Sequence, residues 1–267
     1  MKKWFLLFLF LFACAENNQK KNYLLAEQLL EKKNYELALQ QFKKVLQQSN
    51  ESELTIQANY EIGKIYFFYL SKSSEALEFF QKYIELSKNK NQQYYQAKMF
   101  IGDIFFKKIK NYNQAILYYS SLLNENLSDQ QMATIIYRLG RSHFFLWEFD
   151  RAIYFYKILM EKYTDSMESK NIEFNLGNSY VSLAEKSTDQ KVEKENYLTA
   201  ISYFEKSLLK QKKSDNSIFV QFALAEAYFH IEQYEKAKIN YEEIKERYPG
   251  KKIIFSKLSK INEKLKK

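Results

Sequence analysis

Leu139-Gly140-Arg141-Ser142-His143-Phe144-Phe145-Leu146-Trp147-Glu148-Phe149-Asp150-Arg151-Ala152-Ile153-Tyr154-Phe155-Tyr156 is the stretch whose reading decides the fold. It sets a small residue, Gly140, twelve places before an alanine, Ala152. Phe149 stands three places before that alanine and Tyr156 four places after it. A glycine inside a helix costs about 1 kcal/mol against alanine, so its place here calls for a packing cause. Small residues on the two helices of an antiparallel pair let the backbones approach, and the large ring fills the adjacent groove.

The phrase recurs outward in both directions. The alanine setting reads Tyr35-x-x-Ala38, Ser73-x-x-Ala76, Tyr112-x-x-Ala115, Phe149-x-x-Ala152, Tyr197-x-x-Ala200 and Tyr234-x-x-Ala237. Four residues past each alanine comes a ring: Phe42, Phe80, Tyr119, Tyr156, Phe204 and Tyr241. Upstream lie Ala26, Gly63, Gly102, Gly140, Gly177 and Ala225, so four of the five glycines share one position. Three residues further on stand Leu29, Tyr66, Phe105, His143, Tyr180 and Tyr228. Successive small positions are 37, 39, 38, 37 and 48 residues apart. The second and third units carry one extra residue between small position and alanine. The fifth carries eleven, in the charged stretch 185–196, which either lengthens both helices or forms a protruding loop.

This pattern resembles the tetratricopeptide repeat. The resemblance covers residues 19–250 and implies an all-α, right-handed superhelical solenoid of about six helix-turn-helix repeats. The six units are read at about 19–50, 52–90, 92–127, 129–165, 167–212 and 215–249. Ser128-Asp129-Gln130-Gln131 and Ser187-Thr188-Asp189-Gln190 fit the capping box that starts helices, and Asp165-Ser166-Met167-Glu168 is a related start. The single proline, in Tyr248-Pro249-Gly250, stops the sixth pair. Residues 251–267 read as a basic amphipathic capping helix, with Ile254, Leu258, Ile261 and Leu265 on one face and lysines around the rest. The rival reading of that helix is contact with anionic lipid.

The N-terminus has its own signal. Met1-Lys2-Lys3 precedes an apolar run from Trp4 to Phe12, then Ala13 and Cys14. The run is too short for a permanent membrane span. Leu11-Phe12-Ala13-Cys14 resembles the lipobox of bacterial lipoproteins, departing from it by the large residue at Phe12. The resemblance implies that residues 1–13 are a removable leader, that Cys14 is lipidated, and that 14–18 form a tether. Cys14 is the only cysteine, which excludes an intramolecular disulfide and a cysteine-based metal site.

No catalytic motif is legible: no phosphate-cradling glycine loop, nucleophile elbow, zinc-protease helix or calcium loop. His143 and His230 lack metal-ligand partners in helical register, so neither metal nor cofactor is expected. The chain reads as a non-enzyme. Its formal charge of +9 suits anionic partners, but the rings recur at packing positions and the leader directs export, so no nucleic acid is expected.

The tetratricopeptide resemblance implies that the first helix of each pair lines a groove for peptides or helices. Carried across, the groove positions are Tyr60, Met99, Tyr137, Phe174 and Phe222 at one level. A second level holds Glu27, Lys64, Asp103, Arg141, Asn178 and Glu226, and a third holds Leu30, Phe67, Phe106, Phe144, Val181 and Phe229. Aromatic shelves would flank a row of alternating charge, suited to an apolar-polar protein segment. Glu161-Lys162-Tyr163-Thr164-Asp165-Ser166 and Glu246-Arg247-Tyr248-Pro249 resemble the E-x-Y-P-D-S phrase of tetratricopeptide lipoproteins in the outer-membrane assembly and Tol-Pal-associated group. Thr164 stands where that phrase has proline. The implied protein is an interaction scaffold, lipid-anchored in the bacterial cell envelope at the outer membrane, that aids assembly of an envelope complex. The alternatives are a pilotin-like lipoprotein for pilus or secretin assembly and a surface lipoprotein that captures glycan or solute.

Overall fold

A computed structural model describes residues 2–48, 52–210 and 217–266, with side chains from residue 17 onward. Thirteen α-helices and no strands occur among the described residues. The chain forms two compact units, residues 1–122 and 123–267.

The first unit holds three helix pairs: α1 (Lys2–Glu31) with α2 (Tyr35–Leu46), α3 (Glu53–Lys64) with α4 (Ser73–Leu86), and α5 (Gln92–Asp103) with α6 (Tyr112–Ser120). The second holds α7 (Asp129–Phe145) with α8 (Phe149–Lys162), α9 (Ile172–Lys186) with α10 (Gln190–Lys210), α11 (Ser217–His230) with α12 (Tyr234–Ile244), and a last helix, α13 (Lys251–Lys264). Helix α1 is continuous from Lys2, so its backbone does not break at Cys14 or in the expected tether at 14–18. The lipidation expected at Cys14 concerns a side chain outside the described residues. So does the joint between the fifth and sixth units at 211–216.

Side-chain caps start the helices where the sequence supplies them. Ser52, Asn91 and Ser128 each accept a backbone N–H three residues on, satisfying a donor that the helix leaves open. At Ser128 the full capping box forms, with Gln131 reaching back to the Ser128 backbone. The Ser187 box does not form. Asp189 instead accepts from Lys191 and Val192 N–H at 2.8 and 3.3 Å, because its carboxylate lies one step before the first helical residue. The Asp165–Glu168 start opens a short 3-10 turn, Glu168–Asn171, in which Ser169 Oγ donates to the Thr164 and Ser166 carbonyls.

Three kinds of contact recur across the pairs. The first is ring on glycine. A Cβ placed on Gly63, Gly102, Gly140 or Gly177 would lie 2.7, 2.4, 2.5 or 2.4 Å from Phe80, Tyr119, Tyr156 or Phe204 respectively. The ring therefore occupies the space a side chain would need.

The second contact is a stack. Tyr66 lies on Phe79, Phe105 on Tyr118, His143 on Phe155 and Tyr180 on Tyr203, with centroids 5.7, 5.8, 5.4 and 5.6 Å apart. His143 thus serves as a fourth stacking ring.

The third contact is a backbone bracket at the turn. In the first, fourth and sixth pairs, Asn34, Glu148 and Gln233 N–H donate to the carbonyls of Leu29, His143 and Tyr228 at 2.8, 3.0 and 2.9 Å. With the inner bonds from Lys33, Trp147 and Glu232, this is a Schellman closure. The second and third pairs close the same way one residue wider, Lys72 to Tyr66 and Asn111 to Phe105, both at 2.9 Å. Their extra residue is absorbed in π-helical turns at Ile65–Tyr69 and Ile104–Ile109.

In all five pairs a non-glycine residue takes the left-handed conformation at the turn: Lys33, Ser71, Lys110, Trp147 and Glu232, with φ between 54 and 62°. The fifth pair has no such turn. Its extra residues extend both helices, α9 to Lys186 and α10 back to Gln190, which decides for helix extension over a protruding loop.

Helix α13 buries Ile254, Leu258 and Ile261 against the sixth pair, while Leu265 at its end stays 37% exposed.

Candidate functional site: the first-helix faces

The residues expected in the groove lie on first helices in both units, and each unit presents its own face. In the first unit, Tyr60, Asp103 and Phe106 are buried, whereas Lys64, Phe67 and Met99 are half-buried. Glu27 is exposed and Leu30 half-buried. Tyr60 donates its hydroxyl to Gln96 Oε1 at 2.6 Å, and burial first, then Glu61, pushes its pKa up, so it stays a donor. Lys64 pairs with Glu61 at 2.9 Å and lies 5.2 Å from the Tyr60 ring centroid.

Asp103 is built into the structure rather than offered to a ligand. It accepts from the Tyr119 hydroxyl at 2.7 Å and from Lys107 at 3.1 Å. What the first unit does present is a ring cluster. Phe67 and Phe68 both touch Phe100, at 5.7 and 5.1 Å between centroids, and Phe68 is 51% exposed.

In the second unit, Tyr137, Arg141, Phe144, Phe174, Asn178, Val181, Phe222, Glu226 and Phe229 are all half-buried. Arg141 spans two rings, 6.0 Å from Tyr137 and 5.4 Å from Phe145. Phe144 meets Phe149 at 5.4 Å and Phe174 meets Phe204 at 6.0 Å, so each is anchored on one side and open on the other. Glu226 is engaged twice, by the Tyr241 hydroxyl and by Lys257 at 2.6 Å. Burial raises the pKa of Tyr241, and its bond to Glu226 raises it further, which keeps the phenol protonated as donor. The sixth pair's face is also partly roofed. Tyr248 stacks on Phe222 at 4.8 Å, and Lys257 and Lys260 lie 5.7 and 5.2 Å from the Phe229 ring.

The expected row of alternating charge is therefore half structural. Asp103 and Glu226 hold tyrosine hydroxyls of their own pairs, because a ring packed on the small position places its hydroxyl beside the next residue of the first helix. The sequence reading missed the stacking partners Phe79, Tyr118, Phe155 and Tyr203. Their signal was the adjacent aromatic pairs Phe79-Phe80, Tyr118-Tyr119, Phe155-Tyr156 and Tyr203-Phe204.

His143 Nδ1 lies 2.6 Å from Glu148 Oε2, and His230 stacks on Tyr197 at 4.9 Å. No group of three or more His, Cys, Asp or Glu able to hold a metal occurs among the described residues. No helix among them is long and apolar enough to cross a membrane.

No curated protein matches the chain. Solved structures share its fold. Pseudomonas aeruginosa pilF aligns with a TM-score of 0.57 at 13% identity, over 94% of this chain and 99% of its own. MamA aligns with a TM-score of 0.57 at 20% identity, over 74% of this chain and 94% of its own. YrrB, described as a TPR protein with an unusual peptide-binding site, aligns with a TM-score of 0.57 at 16% identity, over 80% and 96%. Family models described as tetratricopeptide repeat match residues 56–90 and 219–251, the second and sixth helix pairs. The chain carries tetratricopeptide repeats.

Proposed function

We propose that this protein is a non-enzymatic interaction scaffold, anchored by a lipid on Cys14 in the bacterial cell envelope, that binds protein segments during assembly of an envelope complex. The observation that carries the binding role is the state of the first-helix rings. Phe67 in the first unit and Tyr137, Phe144, Phe174, Phe222 and Phe229 in the second are packed on one side yet only half-buried. Rings held this way lose little side-chain freedom on binding and offer large apolar area, the property of interface anchors. The anchoring role is supported by the lipobox-like Leu11-Phe12-Ala13-Cys14, and the envelope role by the Glu161–Ser166 and Glu246–Pro249 phrases.

Cross-linking of the native protein in its own membranes, followed by capture, tests the reading. Recovery of β-barrel assembly proteins, lost when Phe144 and Phe174 are both changed to Ala, is the expected result. Recovery of a secretin moves the protein to the pilotin-like alternative, and recovery of glycan alone overturns the scaffold. Mass spectrometry of the mature N-terminus tests the anchor separately: an unmodified Cys14 removes it.

A further inference from the structure

The chain's charge is not evenly distributed. Residues 251–267 contain seven lysines and one glutamate, a net +6, which leaves +3 for the other 250 residues of a chain of +9. Two-thirds of the excess sits on α13 and its end, and all the positive charge there is lysine; no arginine occurs there.

The structure separates two faces of this helix that the sequence merges. The apolar stripe Ile254, Leu258 and Ile261 is spent on the core and is unavailable to any partner. A second stripe, at spacings of four, four, three and four, carries Lys251, Phe255, Ser259, Asn262 and Lys266, with Lys252 beside it; every one of these residues is exposed. It contains no carboxylate. The nearest acid paired to it is Glu246, 3.1 Å from Lys251, and Glu263, four residues after Ser259, flanks it. Phe255 is 52% exposed in the middle of this stripe.

The geometry points to an anionic lipid surface as the partner of this outer face of α13. Lysines are compact point charges that suit a diffuse negative surface, whereas recognition of single phosphates or nucleic acid favours the arginine fork. A half-exposed phenylalanine among lysines seats at the boundary of headgroups and acyl chains. The core-facing stripe stays in place, so the helix adsorbs as part of the folded unit and does not peel away. The contact does not depend on acylation of Cys14.

The test is flotation of the full-length chain with vesicles of phosphatidylcholine alone or with about a third phosphatidylglycerol. Any leader or lipid enters both kinds, so the ratio of the two partition coefficients isolates the electrostatic contact. Three lysines near such a surface correspond to a ratio of about a hundredfold at low salt, collapsing as salt rises. Replacing Lys251, Lys252 and Lys266 by Glu is expected to bring the ratio to about one, and Phe255→Ser to lower it severalfold. A control that reverses the exposed Lys72, Lys88 and Lys108 makes the same change in net charge and is expected to keep the preference. Equal losses in both triple variants, or no preference in the parent, overturn the proposal. Displacement from anionic vesicles by a short oligonucleotide at equal charge also overturns it, in favour of nucleic acid. All substituted positions are exposed, and circular dichroism checks that helix content is unchanged.

Discussion

The second and third helix pairs and the fifth pair solve the same problem in opposite ways. Each must fit extra residues between its small position and its alanine, one in the former and eleven in the latter. The single extra residue is taken up inside the turn, as a π-helical widening between fixed ends. Eleven cannot be, and they continue the helical hydrogen bonding of α9 and α10 instead. Both solutions leave the glycine–ring contact and the adjacent ring stack in place, as at Gly102–Tyr119 and Gly177–Phe204. The lesson is that these pairs keep one glycine–ring–stack core and adjust their length only beyond the stacked ring.

Removing the ring strikes that core directly. Phe204→Ala in the fifth pair and Tyr119→Ala in the third should each cost about 3–5 kcal/mol, measured by urea unfolding, because both side chains are fully buried. If the long helices of the fifth pair hold it without the ring, Phe204→Ala will cost far less than Tyr119→Ala, and the shared core ceases to explain both.

Filling the glycine is the converse test. Gly102→Ala and Gly177→Ala place a Cβ 2.4 Å from ring carbon in each case. Overpacking of this kind costs about 1–3 kcal/mol, and roughly 1 kcal/mol returns as helix propensity. A net destabilisation of up to about 2 kcal/mol is expected in both pairs. The first and sixth pairs already hold Ala26 and Ala225 at this position, so Ala225→Gly should cost about 1 kcal/mol instead.

The turn should matter least. Lys110 in a π-widened turn and Lys33 in a Schellman turn have nearly the same φ, 57 and 59°. Glycine relieves a left-handed strain of about 1–2 kcal/mol, less the entropy it adds to the unfolded chain. Lys110→Gly and Lys33→Gly should each gain about 0.5–1 kcal/mol. A gain at Lys33 alone would mean that the π turn carries a different strain.

The fourth pair adds a pH test of a turn closed twice. Glu148 joins His143 through backbone and side chain, and the His143 hydrogen bond holds its carboxyl below the usual carboxylate range. A depressed folded pKa contributes stability above the unfolded value and loses it as pH falls through the folded value. Stability of the parent should therefore decline more steeply on acidification than that of Glu148→Gln, followed by thermal unfolding from neutral to acid pH.

Much of this was legible beforehand because repeats print the same constraint several times. Six alanines and four glycines in one register located every helix pair, and the spacing of 13 instead of 12 marked the two turns that turned out to be π-helical. The stacks were written as adjacent aromatic pairs but went unread, since periodicity names a face and not the partner across it. The site was less legible. Tyr60, Asp103 and Phe106 match the groove register but are buried.

The sequence by itself determined the all-α class, the helix pairs and the positions where backbones must approach, because these depend on local spacing and on side-chain size. Only the tertiary structure decided which polar groups are spent. Asp103 and Glu226 look like ligand-facing charges until the tyrosine hydroxyls of their own pairs are placed beside them. It also decided that the Ile254, Leu258 and Ile261 face of α13 is spent on the core, which leaves the stripe of Lys251, Phe255 and Lys266 facing outward.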